Sequence, residues 1–401
     1  MKNKILITLL SFFLSIFSSV QINSLDIIED VLKDMTLDEK IGQLFIIRLE
    51  ALDPDYVSDI ASGDIISHQS LTSEMIETYK KYPCGGITLF SRNIVNKIQL
   101  KDLTSDIHNL NIISPLICID EEGGNVTRIA SNKNFDVEKF PTNEEIANEY
   151  DPSYACYEAS TISSYLKEYG IDVDFAPVSD INTNLNNKVI GKRAFGSDPN
   201  IASEYIVNYI NGLHANNIAS CIKHFPGHGD TSNDSHADLV YTYKTWEELL
   251  DEELITFKSG IDNNTDMVML GHISTPNVTN NDLPASLSSE IISKLRNELN
   301  YNGIIITDSF EMGAISKHYL SKQAAVLAIK AGVDIILMPE NYIEAYDGVK
   351  EAVLNNEISI ERINESVRRI LSLKIKTDTI QDTNIINPDV STFATKKKKA
   401  K

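Results

Sequence analysis

The sequence predicts an α/β protein built as a single (β/α)₈ barrel of the TIM type, with slight irregularity. Eight short apolar runs rich in β-branched residues recur along the chain, and stretches with helical periodicity lie between them. The runs are continuously apolar rather than alternating, which is typical of parallel strands covered on both faces. Eight β-then-α units in about 350 residues favour a closed barrel over a doubly wound sheet.

The eight predicted strands are residues 41–47, 86–90, 116–120, 173–178, 220–225, 267–272, 303–308 and 334–339. The clearest helical periodicity covers residues 246–259, 288–299, 321–331 and 360–373. Because no internal repeat beyond this alternation is visible, we expect one domain over residues 25–376.

Both ends of the chain differ in composition from this domain. Lys2 and Lys4 precede an uncharged apolar run over residues 5–17 and then a small-residue stretch, the pattern of a secretory signal peptide. We therefore expect residues 1–24 to be removed and the protein to be exported, to the periplasm or the extracellular space; a retained N-terminal anchor is the alternative. Residues 377–401 are polar and end in a lysine-rich run, which predicts a solvated tail.

Charge and cysteine content exclude several classes of partner. The formal net charge of −21 would repel nucleic acid and anionic membranes, so we expect no nucleic-acid partner and no stable membrane insertion after signal removal. The cysteines Cys84, Cys118, Cys156 and Cys221 are widely spaced, and three lie in or beside apolar runs. This pattern predicts buried thiols rather than a disulfide framework or a zinc site.

Polar residues stand where the predicted strands stop. They are Asp120, Asp180, Lys223, His224, His272 and Asp308. Each alone fits a helix cap or a turn as well as a site. In a barrel, however, the C-terminal ends of the strands meet at one rim, so we expect these scattered positions to form one pocket.

The densest polar segment, residues 223–236, follows the fifth predicted strand and holds three of the eight histidines. His224, His228, Asp234 and His236 raise zinc binding as an alternative. None of the familiar ligand spacings is present, however, and the Pro-Gly-His-Gly core predicts a loop rather than a ligand helix. We expect neither a metal nor an organic cofactor.

Acid–base chemistry on a polar substrate is the favoured interpretation. Asp234 and His236 are two residues apart, so in an extended loop the carboxylate can orient the imidazole and favour its protonated form. Asp308 ends a very apolar strand, where a carboxylate is costly unless it is used. It is placed to act as a nucleophile on the opposite side of the substrate; a helix cap is the alternative.

Residues 223–236 resemble the K-H-F-P-G-x-G-x-x-x-x-D-S-H signature of bacterial β-N-acetylglucosaminidases of glycoside hydrolase family 3. Further stretches resemble the same enzymes in the same order: residues 35–43, 85–87, 90–93, 120–124, 175–178, 189–196, 284–288 and 307–312. The resemblance covers nearly the whole chain between the two termini. It implies a retaining exo-hydrolase that removes N-acetylglucosamine from muropeptides or chitooligosaccharides.

The resemblance also implies roles for single residues. Asp308 would be the nucleophile, and His236, oriented by Asp234, would be the acid and then the base. Four further positions would hold the sugar hydroxyls and the N-acetyl group: Asp120, Arg193, Lys223 and His224. The sequence departs from the family pattern at Glu121, Asn125, Ala194 and Ser309, and none of these changes removes a catalytic group.

Several alternatives stay open at this point. A phosphorylase is one, because a neutral histidine admits phosphate where a carboxylate base would repel it. Another family 3 exo-glycosidase, such as a β-glucosidase, is a second, although those relatives usually add a further domain carrying a glutamate acid. A sugar-binding protein without catalysis is the least favoured, since all three catalytic groups are present. We expect a monomer whose partner is a carbohydrate substrate.

Overall fold

The computed structural model describes residues 27–56, 67–184, 186–231 and 238–380. Its strands are β1 (Phe45–Arg48), β2 (Gly86–Thr88), β3 (Leu116–Ile119), β4 (Val173–Asp174), β5 (Ala219–Phe225), β6 (Val240–Tyr241), β7 (Met267–Leu270), β8 (Ile273–Ser274), β9 (Ile304–Thr307) and β10 (Ile336–Leu337).

The first helix, α1, covers residues 27–34 in the described part of the chain. The others are α2 (Leu37–Gln43), α3 (Ser73–Lys81), α4 (Lys97–His108), α5 (Asn143–Glu149), α6 (Ser153–Glu168), α7 (Pro199–His214), α8 (Trp246–Asp251), α9 (Glu253–Asp262), α10 (Pro276–Thr279), α11 (Ser289–Asn297), α12 (Gly313–Ser316), α13 (Ser321–Ala331), α14 (Tyr342–Leu354) and α15 (Ile360–Lys376).

Eight strands form one parallel sheet in the order β10-β1-β2-β3-β4-β5-β7-β9. The two ends of this order meet, because Ile306 in β9 forms a parallel bridge with Ile335, the residue before β10. The Thr307 amide donates to the Ile335 carbonyl at 3.0 Å across the same seam. The sheet therefore closes into the predicted (β/α)₈ barrel. The remaining strands, β6 and β8, form a separate parallel pair.

The barrel strands supply the centre of the hydrophobic core. Every residue of β1, β5, β7 and β9 is buried, which explains why most of their residues are apolar. One continuous cluster joins these strands to the inward faces of the surrounding helices. The four cysteines are free thiols and three of them are buried, as predicted.

Each predicted strand overlaps an observed barrel strand, with ends that differ by up to four residues, and two differences involve helices. Residues 41–43, predicted as strand, end α2, because Thr36 and Glu39 form a capping box that starts a helix before the apolar run. The predicted helix over residues 246–259 is two helices, α8 and α9, separated at Glu252 with φ −138° and ψ −84°. Apolar periodicity does not register a break of one residue.

The predicted terminal segments fall mostly outside the described residues. The predicted signal peptide, residues 1–24, lies outside them, as do residues 381–401 of the predicted tail. Residues 377–380 are not tail, since Thr377 Oγ1 donates to the Leu373 carbonyl at 3.1 Å and Ile380 is buried. The described chain contains no helix that combines the length and apolarity needed to cross a membrane.

Candidate active site

A cavity of about 640 Å³ lies at the C-terminal ends of the barrel strands. Its lining includes five of the residues that the sequence predicted for the site: Asp120, Arg193, Lys223, His224 and Asp308. The predicted acid–base pair, Asp234 and His236, lies outside the described residues. The described segment before them ends at Thr231, which is buried. Thr231 Oγ1 lies 2.9 Å from Nδ1 of His228, a residue of the cavity lining.

A chain of alternating charges forms one wall of the cavity. Lys223 Nζ lies 2.9 Å from Asp120 Oδ1 and 2.5 Å from Glu122 Oε1. Arg193 holds both oxygens of Glu122, through Nε at 2.9 Å and Nη2 at 2.7 Å. Since each buried charge has an opposite partner within hydrogen-bond distance, the desolvation cost is offset and the side chains are fixed.

The ion pairs determine the ionisation states of the charged side chains in this wall. Burial disfavours the charged form of Glu122, but Arg193 and Lys223 outweigh burial and hold the pKa of Glu122 well below its usual range. Burial likewise opposes the charge of Asp120, and Lys223 and Arg128 lower the pKa of that carboxyl overall. Burial would lower the pKa of Lys223, yet Asp120 and Glu122 raise it. All these groups are therefore charged at neutral pH.

Asp180 orients His224 from behind the cavity. Its Oδ2 lies 2.6 Å from His224 Nδ1, and its Oδ1 accepts the backbone N–H of His228 at 2.6 Å. Burial opposes ionisation of Asp180, but the charge and hydrogen bond of His224 lower its pKa. A carboxylate at Nδ1 leaves Nε2 of His224 to contact a ligand. Asp180, predicted to face the rim, is instead a buried support that does not line the cavity.

Asp308 follows β9 directly and its side chain lines the cavity. Its backbone N–H donates to the Leu270 carbonyl at 2.8 Å, and its Oδ1 accepts the Ser309 N–H at 2.7 Å. His272 Nε2 lies 2.8 Å from the Ser309 carbonyl, and its Nδ1 lies 2.9 Å from Ser286 Oγ. His272, predicted at the rim, therefore does not line the cavity but fixes the backbone beside Asp308.

Sequence reasoning missed several charged residues that line the cavity: Arg48, Glu122, Arg128, Lys188 and Glu311. Arg48 is the last residue of β1 and forms a buried ion pair with Glu311. Arg128 Nη2 lies 3.1 Å from Asp120 Oδ2. Arg48 and Glu122 follow the strand-end pattern that identified Asp120, so this pattern is the signal that would have found them. His228, considered from the sequence as a possible zinc ligand, also lines the cavity.

The described lining of the cavity suits a polar ligand that carries hydroxyl groups. Within the described residues, no group of three or more His, Cys, Asp or Glu side chains is placed to hold a metal. The wall instead presents fixed carboxylate acceptors and ammonium and guanidinium donors, with Asp308 in the same cavity. Such groups bind hydroxyls through short, charge-assisted hydrogen bonds.

Comparison with known proteins identifies related sequences. The family model for the glycosyl hydrolase family 3 N terminal domain matches residues 36–373. A β-hexosaminidase A from Pseudoalteromonas piscicida is 32% identical over 345 residues, which cover 79% of this chain and 57% of the relative. A β-hexosaminidase from Stenotrophomonas maltophilia is 32% identical over 300 residues, covering 72% of this chain and 87% of the relative.

A solved structure of a glycoside hydrolase family 3 β-N-acetylglucosaminidase from Paenibacillus sp. is similar to this fold. The TM-score is 0.79 at 34% identity, and the match covers 86% of this chain and 64% of the solved one. The chain thus spans less than two thirds of the length of the Pseudoalteromonas and Paenibacillus proteins. The closed barrel and the family match over most of the chain show that this protein belongs to glycosyl hydrolase family 3, as its sequence predicts.

Proposed function

We propose that the protein is a retaining exo-β-N-acetylglucosaminidase that hydrolyses terminal N-acetylglucosamine from muropeptides or chitooligosaccharides. One observation carries this proposal: Asp308 shares a cavity with the fixed charges of Asp120, Glu122, Lys223 and Arg193. Export to the periplasm or the extracellular space is part of the proposal and rests on residues 1–24 of the sequence.

The charged wall supports binding of the sugar. Asp120 and Glu122 accept hydrogen bonds from hydroxyl groups, while Lys223, Arg193 and Nε2 of His224 provide nitrogen atoms toward the hydroxyls and the N-acetyl group. Because the charges already hold one another at 2.5–2.9 Å, the wall needs little reorganisation when the sugar binds. Interactions that strengthen as charge develops at the anomeric carbon lower the barrier rather than only the dissociation constant.

Asp308 is assigned the nucleophilic step. Its carboxylate oxygen attacks the anomeric carbon, the bond to the leaving oxygen breaks, and a covalent glycosyl ester forms. His236, oriented by Asp234, gives its proton to the leaving oxygen. In the second step His236 takes a proton from water, whose oxygen attacks the anomeric carbon from the face that the leaving group left, opposite Asp308, and releases the Asp308 carboxylate. Two inversions at the anomeric carbon retain its configuration.

The direct test measures 4-nitrophenol release from 4-nitrophenyl N-acetyl-β-glucosaminide by the purified protein and by Asp308→Ala. We expect steady release by the wild type and a loss of about 10³-fold or more in kcat for the variant, since no other carboxylate replaces the nucleophile. The melting temperature of the variant is the control for folding. Undiminished release by Asp308→Ala would refute the nucleophile assignment, and a requirement for added phosphate would instead identify a phosphorylase.

The acid role of His236 has its own test. We expect His236→Ala to slow cleavage of chitobiose far more than cleavage of the 4-nitrophenyl glycoside, because an activated leaving group departs without a proton. Both values of kcat/KM are measured with one enzyme preparation, so losses in active fraction cancel in their ratio. Equal losses on the two substrates would remove His236 from the acid role.

A further inference from the structure

The described lining of the cavity is positively charged, although the chain as a whole is strongly acidic. The formal net charge of the chain is −21. Five cationic side chains line the cavity against four carboxylic acids, namely Arg48, Arg128, Lys188, Arg193 and Lys223 against Asp120, Glu122, Asp308 and Glu311. In the described lining, formal positive charges thus exceed negative ones by one, in contrast to the strong negative charge of the whole chain, and local positive charge attracts anions.

Most of the lining cations are already paired with carboxylates. Four of the lining cations form ion pairs with lining carboxylates: Arg48 with Glu311, Arg128 with Asp120, Arg193 with Glu122, and Lys223 with both Asp120 and Glu122. Lys188 differs, since no described carboxylate lies within ion-pair distance of its ammonium group. The four paired cations share three carboxylates, so Lys188 is the described lining cation that no described carboxylate holds.

The backbone around Lys188 is fixed although its side chain is exposed. Asn187 Oδ1 accepts the Val189 N–H at 2.9 Å, and Asn187 Nδ2 donates to the His228 carbonyl at 2.8 Å. Arg193 Nη1 donates to the Val189 carbonyl at 3.0 Å. These bonds tie the segment to both the loop after β5 and the charged wall, so Lys188 extends from a defined position on the cavity lining.

Depth in the cavity separates Lys188 from the paired charges. The side chains of Lys223 and Glu122 are each only 2% exposed, whereas Lys188 is an exposed residue. A sugar held by the buried pair beside Asp308 occupies the deep part of the cavity. An exo-acting enzyme places the leaving group toward solvent, and Lys188 is the most exposed of the five described lining cations.

We infer that Lys188 selects substrates whose leaving sugar carries a carboxylate. This inference rests on the proposed function and decides between its two substrate classes. N-acetylmuramic acid without a peptide carries such a group on its lactyl substituent, and in a muropeptide, where the lactyl carbonyl is an amide, the stem peptide supplies the carboxylates. The leaving sugar of a chitooligosaccharide is neutral. An ammonium group at a partly exposed site favours the anionic substrate by roughly three- to tenfold at low salt, and the preference falls as ionic strength rises.

The test uses a matched pair of disaccharides, N-acetylglucosaminyl-N-acetylmuramic acid and its lactyl methylamide, which differ in the charge of the lactyl group. Values of kcat/KM for both are measured for the wild type, Lys188→Gln and Lys188→Glu at low and high salt. We expect the wild type to prefer the carboxylate, Lys188→Gln to lose the preference, and Lys188→Glu to invert it. Lys192→Gln is the control, because Lys192 pairs with Glu145 at 3.0 Å and does not line this cavity.

The outcomes separate the inference from the proposed function. If the wild type cleaves 4-nitrophenyl N-acetyl-β-glucosaminide but Lys188→Gln keeps the wild-type ratio between the two disaccharides, the inference is wrong and the proposed function stands. The inference is also wrong if Lys192→Gln changes the ratio as much as Lys188→Gln does. If the wild type cleaves none of these glycosides, the proposed function itself fails.

Discussion

Buried charges gather at both ends of the barrel, but the two groups differ in what surrounds them. The catalytic-end network, defined as Asp120, Glu122, Arg193 and Lys223, lines a cavity of about 640 Å³. The opposite-end network consists of Asp334, Arg296, Arg362 and Arg369. Asp334 lies before β10 and is fully buried, with Arg296 Nη2 at 2.5 Å and Arg369 Nη1 at 3.0 Å.

The arginine side chains of the opposite-end network bind backbone carbonyls and hold the barrel scaffold together. Arg296 Nη1 donates to the Tyr301 and Gly303 carbonyls at 3.0 and 2.6 Å, and Arg362 Nη2 donates to the Val333 carbonyl at 2.7 Å. These bonds join the segments that lead into β9 and β10 to the surrounding helices. A cavity of about 460 Å³ lies beside Arg369 at this end too. Neither burial of charge nor a neighbouring cavity therefore identifies a site; position at the C-terminal strand ends is what separates the two networks.

Of the changes to the two networks, breaking the catalytic-end network should have the largest effect. The effect should be on activity rather than on stability. Glu122→Gln removes the negative charge that Lys223 and Arg193 share, so the groups proposed to bind the sugar lose their fixed positions. We expect kcat/KM for 4-nitrophenyl N-acetyl-β-glucosaminide to fall about 10²- to 10³-fold, or roughly 3–4 kcal/mol. A loss below fivefold would show that this network does not contact the reacting sugar.

Breaking the opposite-end network should affect stability instead. Asp334→Asn leaves three buried or half-buried guanidinium groups without their shared anion, and we expect the free energy of unfolding to drop by about 3 kcal/mol. Urea denaturation measures this drop. Below the unfolding transition, kcat/KM should stay within twofold of the wild type. A large loss of kcat/KM in the folded variant would contradict the distinction between the two ends.

Lys374 is a further buried titratable group, and it is expected to make the stability of the fold depend on pH. It is fully buried, and its Nζ donates to the Ser114 carbonyl at 2.6 Å. Burial lowers the pKa of Lys374 to about 7. The unfolded chain therefore binds the extra proton between pH 7 and about 10.4, and stability rises with pH across this window by at most about 1.4 kcal/mol per unit.

Lys374→Met removes this titration and keeps the apolar stem. We expect the difference in unfolding free energy between wild type and variant to change between pH 7 and pH 9.5, with the wild type gaining relative to the variant as pH rises. Unfolding in urea at pH 7, 8 and 9.5 measures the change. A constant difference would mean that Lys374 keeps the same charge in the folded and unfolded states over this range.

The sequence predicts the barrel well because its strands are continuously apolar and its helices are periodic, and both patterns follow directly from burial. It predicts less about which strand-end side chains reach the cavity. Asp120, Glu121 and Glu122 are consecutive acids after β3, yet only the first and third line the cavity. Glu121 is buried on the other side, where its Oε2 accepts the Arg128 and Ile129 N–H groups at 2.6 and 2.9 Å.

The direction of a side chain depends on partners that come from distant parts of the chain. The sequence predicts Asp180 and His272 at strand ends together with Asp120 and Asp308. Asp180, however, contacts His224, and His272 contacts Ser286, so neither side chain lines the cavity. These partners are remote from one another in the sequence, so spacing alone does not reveal the contacts. Lys188 has no strand-end signal at all, and only the position of its loop beside the segment after β5 brings it to the cavity.

The central claim, that Asp308 forms a covalent bond with the sugar, is tested most directly by mass spectrometry. The enzyme is incubated with a fluorinated N-acetylglucosaminyl fluoride, which forms the glycosyl-enzyme quickly and releases it slowly, and is then digested. We predict a mass increase of one fluorinated N-acetylglucosaminyl group on the peptide that contains Asp308, and no label in Asp308→Ala. Complete turnover without any label, or a label on a different carboxylate, would contradict the nucleophilic role of Asp308.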